Sequence, residues 1–299
     1  MANADLKKML KERRPKASDA TIKTYASLLQ SLFNKDHKEE TPFNIEWFRN
    51  TEHVLPLLSE KTPQTRKTNL AAIIVLLEGK DCEQYAKMMT EDAEFTKENY
   101  SKQEKTEKQT ENWLDYDEIV AIWNEKYKKI RTLLYSPEKM EFNDIRSLVY
   151  FMITTITSGI FFPPRRSEWI SLKVKGYDSE KDNYLDMKNS CFVFHNYKTS
   201  KTMGEEKVQF PKEFKLILAK YLKLTNNDYL IFNSQGNPYS NVALAQQLNT
   251  IFGKKISTSM LRHIYLSHRF KNVPSLKELQ GTADSLGHSV ETMLSYIVK

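Results

Sequence analysis

Apolar residues recur at i, i+3 and i+4 through Ile22, Tyr25, Leu28, Leu29, Leu32 and Phe33, behind the start signal Ser18-Asp19-Ala20-Thr21. That spacing predicts an amphipathic helix. Thr62-Pro63 opens a second one, whose apolar run reaches Leu77 before Gly79 stops it. Between Thr96 and Asn112 the pattern vanishes: there is no Gly, no Pro and almost no apolar residue, and Lys alternates with Glu. This reads as a solvated, partly helical linker. Trp113-Leu114 restarts the periodicity through Ile119, Ile122, Trp123 and Tyr127. The pattern thus divides the chain into a helical domain over 1–95, a charged linker over 96–112 and a second domain over 113–299.

The most apolar run, residues 148–162, contains Thr154, Thr155, Thr157 and Ser158 and stops at Pro163-Pro164. A membrane span needs about 20 apolar residues, so this shorter, hydroxyl-bearing run predicts a buried core helix. Two β-prone stretches follow, Cys191–His195 and Lys207–Phe210, the second ending at Pro211. Gly204 lies between them, which makes them a hairpin with Lys198 near its tip. The fold class is therefore mainly α with a small antiparallel β-sheet.

Charge adds a direction. The net +7 falls entirely on residues 112–299, with 26 Lys/Arg against 19 Asp/Glu, while residues 1–111 balance at 19 against 19. A basic excess suits a polyanionic substrate. The first 16 residues carry six basic and two acidic side chains and lack the apolar stretch of a secretory signal. Two cysteines, Cys82 and Cys191, supply neither a disulfide framework nor a zinc cluster, which points to a reducing interior. His-Glu-x-x-His, paired Cys-x-x-Cys and phosphate-loop patterns are absent. Asp182 and Asp186 read as loop carboxylates, and His263 and His268 do not share a helix face well enough to hold a metal. The expectation is catalysis with no metal and no cofactor.

One constellation carries chemistry. Tyr296 is a phenol, and Arg165, Arg262, Lys198, His263 and His288 could surround a phosphate. A phosphodiester attacked by a tyrosine oxygen passes through a pentavalent centre with extra negative charge on its non-bridging oxygens. Guanidinium forks match those oxygens and stay protonated. The phenol, with a reference pKa of about 10, needs a base or a cationic field to become a nucleophile. Lysine can protonate the leaving sugar oxygen, and histidine can bond the phosphate or shuttle a proton.

Arg165-Arg166-Ser167-Glu168-Trp169, Tyr197-Lys198-Thr199-Ser200-Lys201, Ser259-Met260-Leu261-Arg262-His263, Leu286-Gly287-His288 and Tyr296 stand in an order that resembles the catalytic boxes of the tyrosine recombinase (phage-type integrase) family. By motif the resemblance covers roughly 112–299. It implies a two-domain, C-shaped clamp on double-stranded DNA, with a helical core-binding domain over 1–95 and a catalytic domain over 113–299. It implies Tyr296 as nucleophile, Arg165 and Arg262 on the phosphate, Lys198 as general acid on a β-hairpin, with Lys201 three residues on as the competing choice, and His288 assisting. Glu168 falls on a supporting acidic position, with Ser259 and His263 at supporting or variant ones. DNA contacts are expected from Arg166, Lys201, Gln64, Arg66 and Lys67. The implied reaction cleaves and rejoins strands through a 3′-phosphotyrosyl link, with protomers self-associating on DNA as a tetramer. Such enzymes work inside cells, wherever their DNA lies (host nucleus, viral factory or bacterial cytoplasm), often on mobile elements or viruses. No membrane role is expected.

Three departures qualify the resemblance. Ser259 stands where a histidine is usual, and a hydroxyl cannot serve as a base near neutral pH. Tyr296 follows His288 by eight residues, one fewer than expected, which on a helix is about 100° of rotation. Only Ile297, Val298 and Lys299 follow it, so the C-terminal helix that many members exchange is not expected. Tyr265, the rival nucleophile by residue type, lies on an apolar helix face. The alternatives are a type IB topoisomerase, a telomere resolvase and a DNA-binding relative without catalysis.

Overall fold

The computed structural model describes residues 3–38, 40–135, 141–285 and 290–291, with side chains at all of these except 100–101 and 282–285. They are mainly helical with a three-stranded antiparallel sheet, and form two compact units. The first runs to Glu104 and takes in the described residues from Pro274 onward; the second spans Lys105–Val273.

In the first unit, α1 (Asn3–Arg13) and α2 (Asp19–Phe33) pack together and against α4 (Pro63–Leu76), with α3 (Thr51–Ser59) and α5 (Glu83–Lys102) completing the bundle. The predicted start of α2 holds: Ser18 Oγ accepts the backbone N–H of Thr21 at 3.2 Å, filling one donor that the helix cannot satisfy itself. Ile22, Tyr25, Ala26, Leu29, Leu32 and Phe33 then form its buried face. Pro63 opens α4, where its missing N–H costs nothing, and Gly79 adopts φ +74° beyond its end.

The linker is more ordered than its composition suggests. Residues 96–102 complete α5, and Glu107–Asn112 form α6 behind a capping box in which Thr106 and Gln109 exchange side-chain and backbone bonds. The division also differs from the expected spans 1–95 and 113–299. Leu276 N donates to Gln103 Oε1 at 3.1 Å, and the helix over Leu276–Ser285 packs against α5, so that segment groups with the first unit.

The second unit is built around α8 (Phe142–Ser158), against which α7 (Tyr116–Tyr135) packs. The α8 hydroxyls that were unlike a membrane span are buried but satisfied: Thr154, Thr155 and Thr157 donate to the carbonyls of Tyr150, Phe151 and Ile153. No helix among the described residues is long and apolar enough to cross a membrane. Gly159 ends α8 at φ +85°. The sheet follows in the order β1 (Tyr184–Asp186), β2 (Cys191–Phe194) and β3 (Glu206–Gln209), each pair antiparallel. A short α9 (Ser200–Met203) lies between β2 and β3, and α10 (Lys212–Thr225), α11 (Asn241–Phe252) and α12 (Thr258–Arg269) complete the unit. The helix over Leu276–Ser285 is α13.

The stretch around Asp182 and Asp186 is not simply a loop. Asn183 is buried and ties it to the end of β2: its Oδ1 accepts from His195 N and Asn196 N, and its Nδ2 donates to Asn196 O. One amide side chain thereby replaces the ladder bonds that the short strand β1 lacks, which periodicity could not reveal.

Candidate active site

Arg165 follows Pro163-Pro164 in irregular chain and precedes a 3-10 turn over Ser167–Ser171. Trp169 of that turn is fully buried among Phe162, Phe192 and Phe194, which anchors the segment to β2. The Arg165 side chain is only 13% exposed. Its guanidinium carbon lies 4.3 Å from the Phe194 ring centroid and 5.2 Å from that of Tyr197, and its NH1 pairs with Glu206 at 2.9 Å. Glu168 lies farther, 3.9 Å from NH2. Aromatic faces of this kind attract a guanidinium by about 0.5–2 kcal/mol each, depending on desolvation. Arg165 Nε and Glu168 Oε2 are buried without a hydrogen-bond partner among the described residues. Trp169 Nε1 in the same turn is likewise unpartnered, so what the first two atoms show is bonding capacity that the Arg165–Glu168 pair leaves unused.

Strand register explains why these groups meet. Phe194 is paired with Glu206 across β2 and β3, and directly paired residues project from the same face of a sheet. The ring under Arg165 and the carboxylate beside it therefore come from one rung of the hairpin. Beyond that rung, the Tyr197 hydroxyl donates to Gly204 O at 2.9 Å and closes the connection. Lys198 follows Tyr197 in the turn and is exposed, as is Lys201 on α9. Arg166 is half-buried at the start of the 3-10 turn.

Ser259 lies in the first turn of α12 and is exposed; Arg262, one turn on, is half-buried, and His263 is exposed. Arg262 makes no hydrogen bond or ion pair to any described residue. Tyr265 packs on the end of α8: a Cβ built on Gly159 would meet its ring at 2.4 Å, and the Tyr116 ring lies edge-on at 6.0 Å. The contact docks α12 against the end of α8, in the same unit and six residues before Arg165. Burial pushes the Tyr116 phenol above its ordinary value, and the Tyr265 beside it adds to that rise.

The structure thus brings together Arg165, Glu168 and the last rung of the hairpin before the connection that carries Lys198. His288 and Tyr296 lie outside the described residues. In the first unit, Gln64 is exposed on α4, and Lys67 lines a shallow groove of about 250 Å³ with Met89, Ala93 and Lys97. Arg66, which the resemblance put on DNA, engages Asp92 through both its Nε, at 2.7 Å, and its NH2, and the Asp92 side chain is 4% exposed. Among the described residues, no cluster of three or more His, Cys, Asp or Glu could hold a metal ion. Sequence reasoning missed Phe194, Tyr197 and Glu206 as members of the Arg165 site; the signal available was the register of a hairpin centred on the connection with Gly204.

No known family profile matches this chain, and no curated protein matches it. Among solved structures it is similar to one described as a crystal structure of XerA recombinase, with 18% identity over 100% of this chain and 94% of that one, at a TM-score of 0.37. A superposition that loose carries no argument for fold or chemistry.

Proposed function

We propose that the chain is a site-specific DNA recombinase of the tyrosine type, which cleaves and rejoins strands through a 3′-phosphotyrosyl intermediate. The observation that carries the reading is the Arg165 seat: a largely buried guanidinium, held by two aromatic rings and with its Nε unpartnered among the described residues, at the last rung of the hairpin before the connection that carries Lys198. A permanent cation in a desolvated setting is what a developing phosphorane charge requires. Arg165 would take one non-bridging oxygen and Arg262, which has no described partner, another. Lys198 would protonate the departing 5′ oxygen. Tyr296 would attack, with His288 assisting and Ser259 bonding a phosphate oxygen. The 5′-hydroxyl of a partner strand reverses the step, conserving the bond energy without metal or ATP. The two units would serve as the halves of a clamp on duplex DNA, with Gln64 and Lys67 touching it from the first unit, and four protomers would assemble at synapsis.

The test is metal-free incubation with a library of random duplexes nicked near every position, followed by denaturing electrophoresis. Wild type is expected to form a covalent protein-DNA adduct. Arg165→Lys, which keeps the charge but loses the fork, is expected to lower the yield at least about 100-fold, the scale of losing an oriented donor at developing charge. Adduct formation equal in Arg165→Lys and wild type would refute the assigned role.

A further inference from the structure

The Arg165 seat holds more negative charge than a phosphate cradle needs. Two carboxylates, Glu168 and Glu206, face the Arg165 guanidinium, so its own charge is outweighed at close range before a substrate arrives, apart from what Arg262 and Lys198 would add. The neighbouring cation of the strand does not relieve it: Lys207 pairs with Glu205 at 2.9 Å, and adjacent strand residues face opposite sides of the sheet. Glu168 is 11% exposed and sits deep, whereas Glu206 is 46% exposed and lies at the mouth. A phosphate oxygen that takes Arg165 NH1 must therefore displace the Glu206 carboxylate or sit beside it.

We propose that Glu206 is a specificity-determining residue, a fixed charge on β3 that lets the Arg165 seat accept a phosphodiester and makes it reject a phosphomonoester. The inference rests on the reading of Arg165 as a phosphate seat given above. Its physics is a difference of repulsions. A diester carries one negative charge. A monoester near neutral pH carries close to two, its second pKa being about 6. The same carboxylate therefore opposes the monoester about twice as strongly, while Arg165 attracts both. Discrimination by a placed repulsive group needs no extra contact to the favoured ligand. Functionally, the seat would engage phosphates within a continuous strand and leave terminal phosphates, at breaks and ends, unbound. The register holds Glu206 opposite Phe194, under the guanidinium, so the filter is built into the hairpin rather than into a movable side chain far from it.

The probes are dimethyl phosphate, a monoanion, and methyl phosphate, a dianion at pH 8, each titrated into the full-length protein and followed by phosphorus NMR. Wild type is expected to bind the diester at least as well as the monoester. Glu206→Gln is expected to bind methyl phosphate about tenfold more tightly than wild type and dimethyl phosphate about threefold more tightly. Glu206→Asp, which keeps the charge, should retain the wild-type preference. Glu206→Gln/Arg165→Ala should lose the gain, which places it at this seat. An equal gain for both probes, no gain for either, or a gain that survives loss of Arg165 would overturn the proposal. Adduct formation on DNA separates the two claims. A charge-selective gain in a protein that never forms an adduct would leave the filter standing and sink the recombinase reading. Adduct formation without the gain would sink the filter alone.

Discussion

Arg66 and Arg165 are both largely buried arginines facing carboxylates, yet they occupy opposite ends of a scale. Arg66 uses both sides of its fork on Asp92, and both side chains are withdrawn from water, at 18% and 4% exposure. Every strong donor is committed within the fold. Arg165 meets its nearer acid through a single nitrogen, leaves Nε without a partner, and pairs with a carboxylate that is almost half exposed. The difference teaches how to tell a structural arginine from an available one: the sequence context of the two is equally basic, and only the completeness of their bonding separates them.

The contrast can be broken most forcefully at Asp92. Asp92→Ala leaves the Arg66 charge buried and uncompensated, and should destabilise the protein by about 3–5 kcal/mol in a denaturant titration. A cost under about 1 kcal/mol would mean that Arg66 is as free as Arg165. On the other side, Gly159→Ala should cost at least about 2 kcal/mol, because the residue sits at φ +85° and a new Cβ meets the Tyr265 ring. The measurement is again chemical denaturation, and an unchanged midpoint would contradict the docking of α12 on α8. Glu206→Gln should alter stability by no more than about 1 kcal/mol, as expected for an exposed, exchangeable pair. A loss comparable to that of Asp92→Ala would reclassify the Arg165 pair as structural.

The smallest effect concerns pH. The Lys173 ammonium, bonding at 2.8 Å, together with the Asp178 backbone N–H, holds the Asp182 carboxyl below the ordinary carboxylate range. A carboxyl depressed in the folded state contributes stability above its unfolded pKa of about 4, and loses it as pH falls through the lower folded value. Asp182→Asn should therefore flatten the acid limb of a stability profile below about pH 4 and reduce stability slightly at neutral pH. An acid limb identical to that of wild type would remove this pair from the account.

Much of the fold was legible because it rests on local rules. Ser18 before Ile22 and Pro63 at a helix start each announce a boundary through a backbone requirement, and the hairpin followed from two β-prone runs around Gly204, whereas α8 ends at Gly159, before the Pro163 at which its apolar run stops. Strand β1 escaped because its support comes from Asn183 bonding residues in another segment. The linker's partly helical character was legible, but the bounds of α5 and α6 were not, since Lys and Glu composition describes a solvated surface equally well in a helix or a coil. At the site, Arg165, Glu168 and the hairpin position of Lys198 could be picked out by residue type. Their aromatic bed and the Glu206 carboxylate could not, since both depend on strand register. Arg66 shows the converse. Its residue type suits a DNA contact, and residue type could not show that a buried acid 26 residues away bonds both sides of its fork.

The central claim is that a tyrosine oxygen of this chain becomes bonded to a DNA phosphorus in a site organised by Arg165. Its most direct test is to trap the adduct on nicked DNA, digest both polymers, and locate the nucleotide-bearing residue by mass spectrometry. The account predicts a phosphotyrosyl nucleotide at Tyr296, formed without metal and absent from Tyr296→Phe. A nucleotide on Tyr265 or any other residue, or an adduct that persists in Tyr296→Phe, would contradict it.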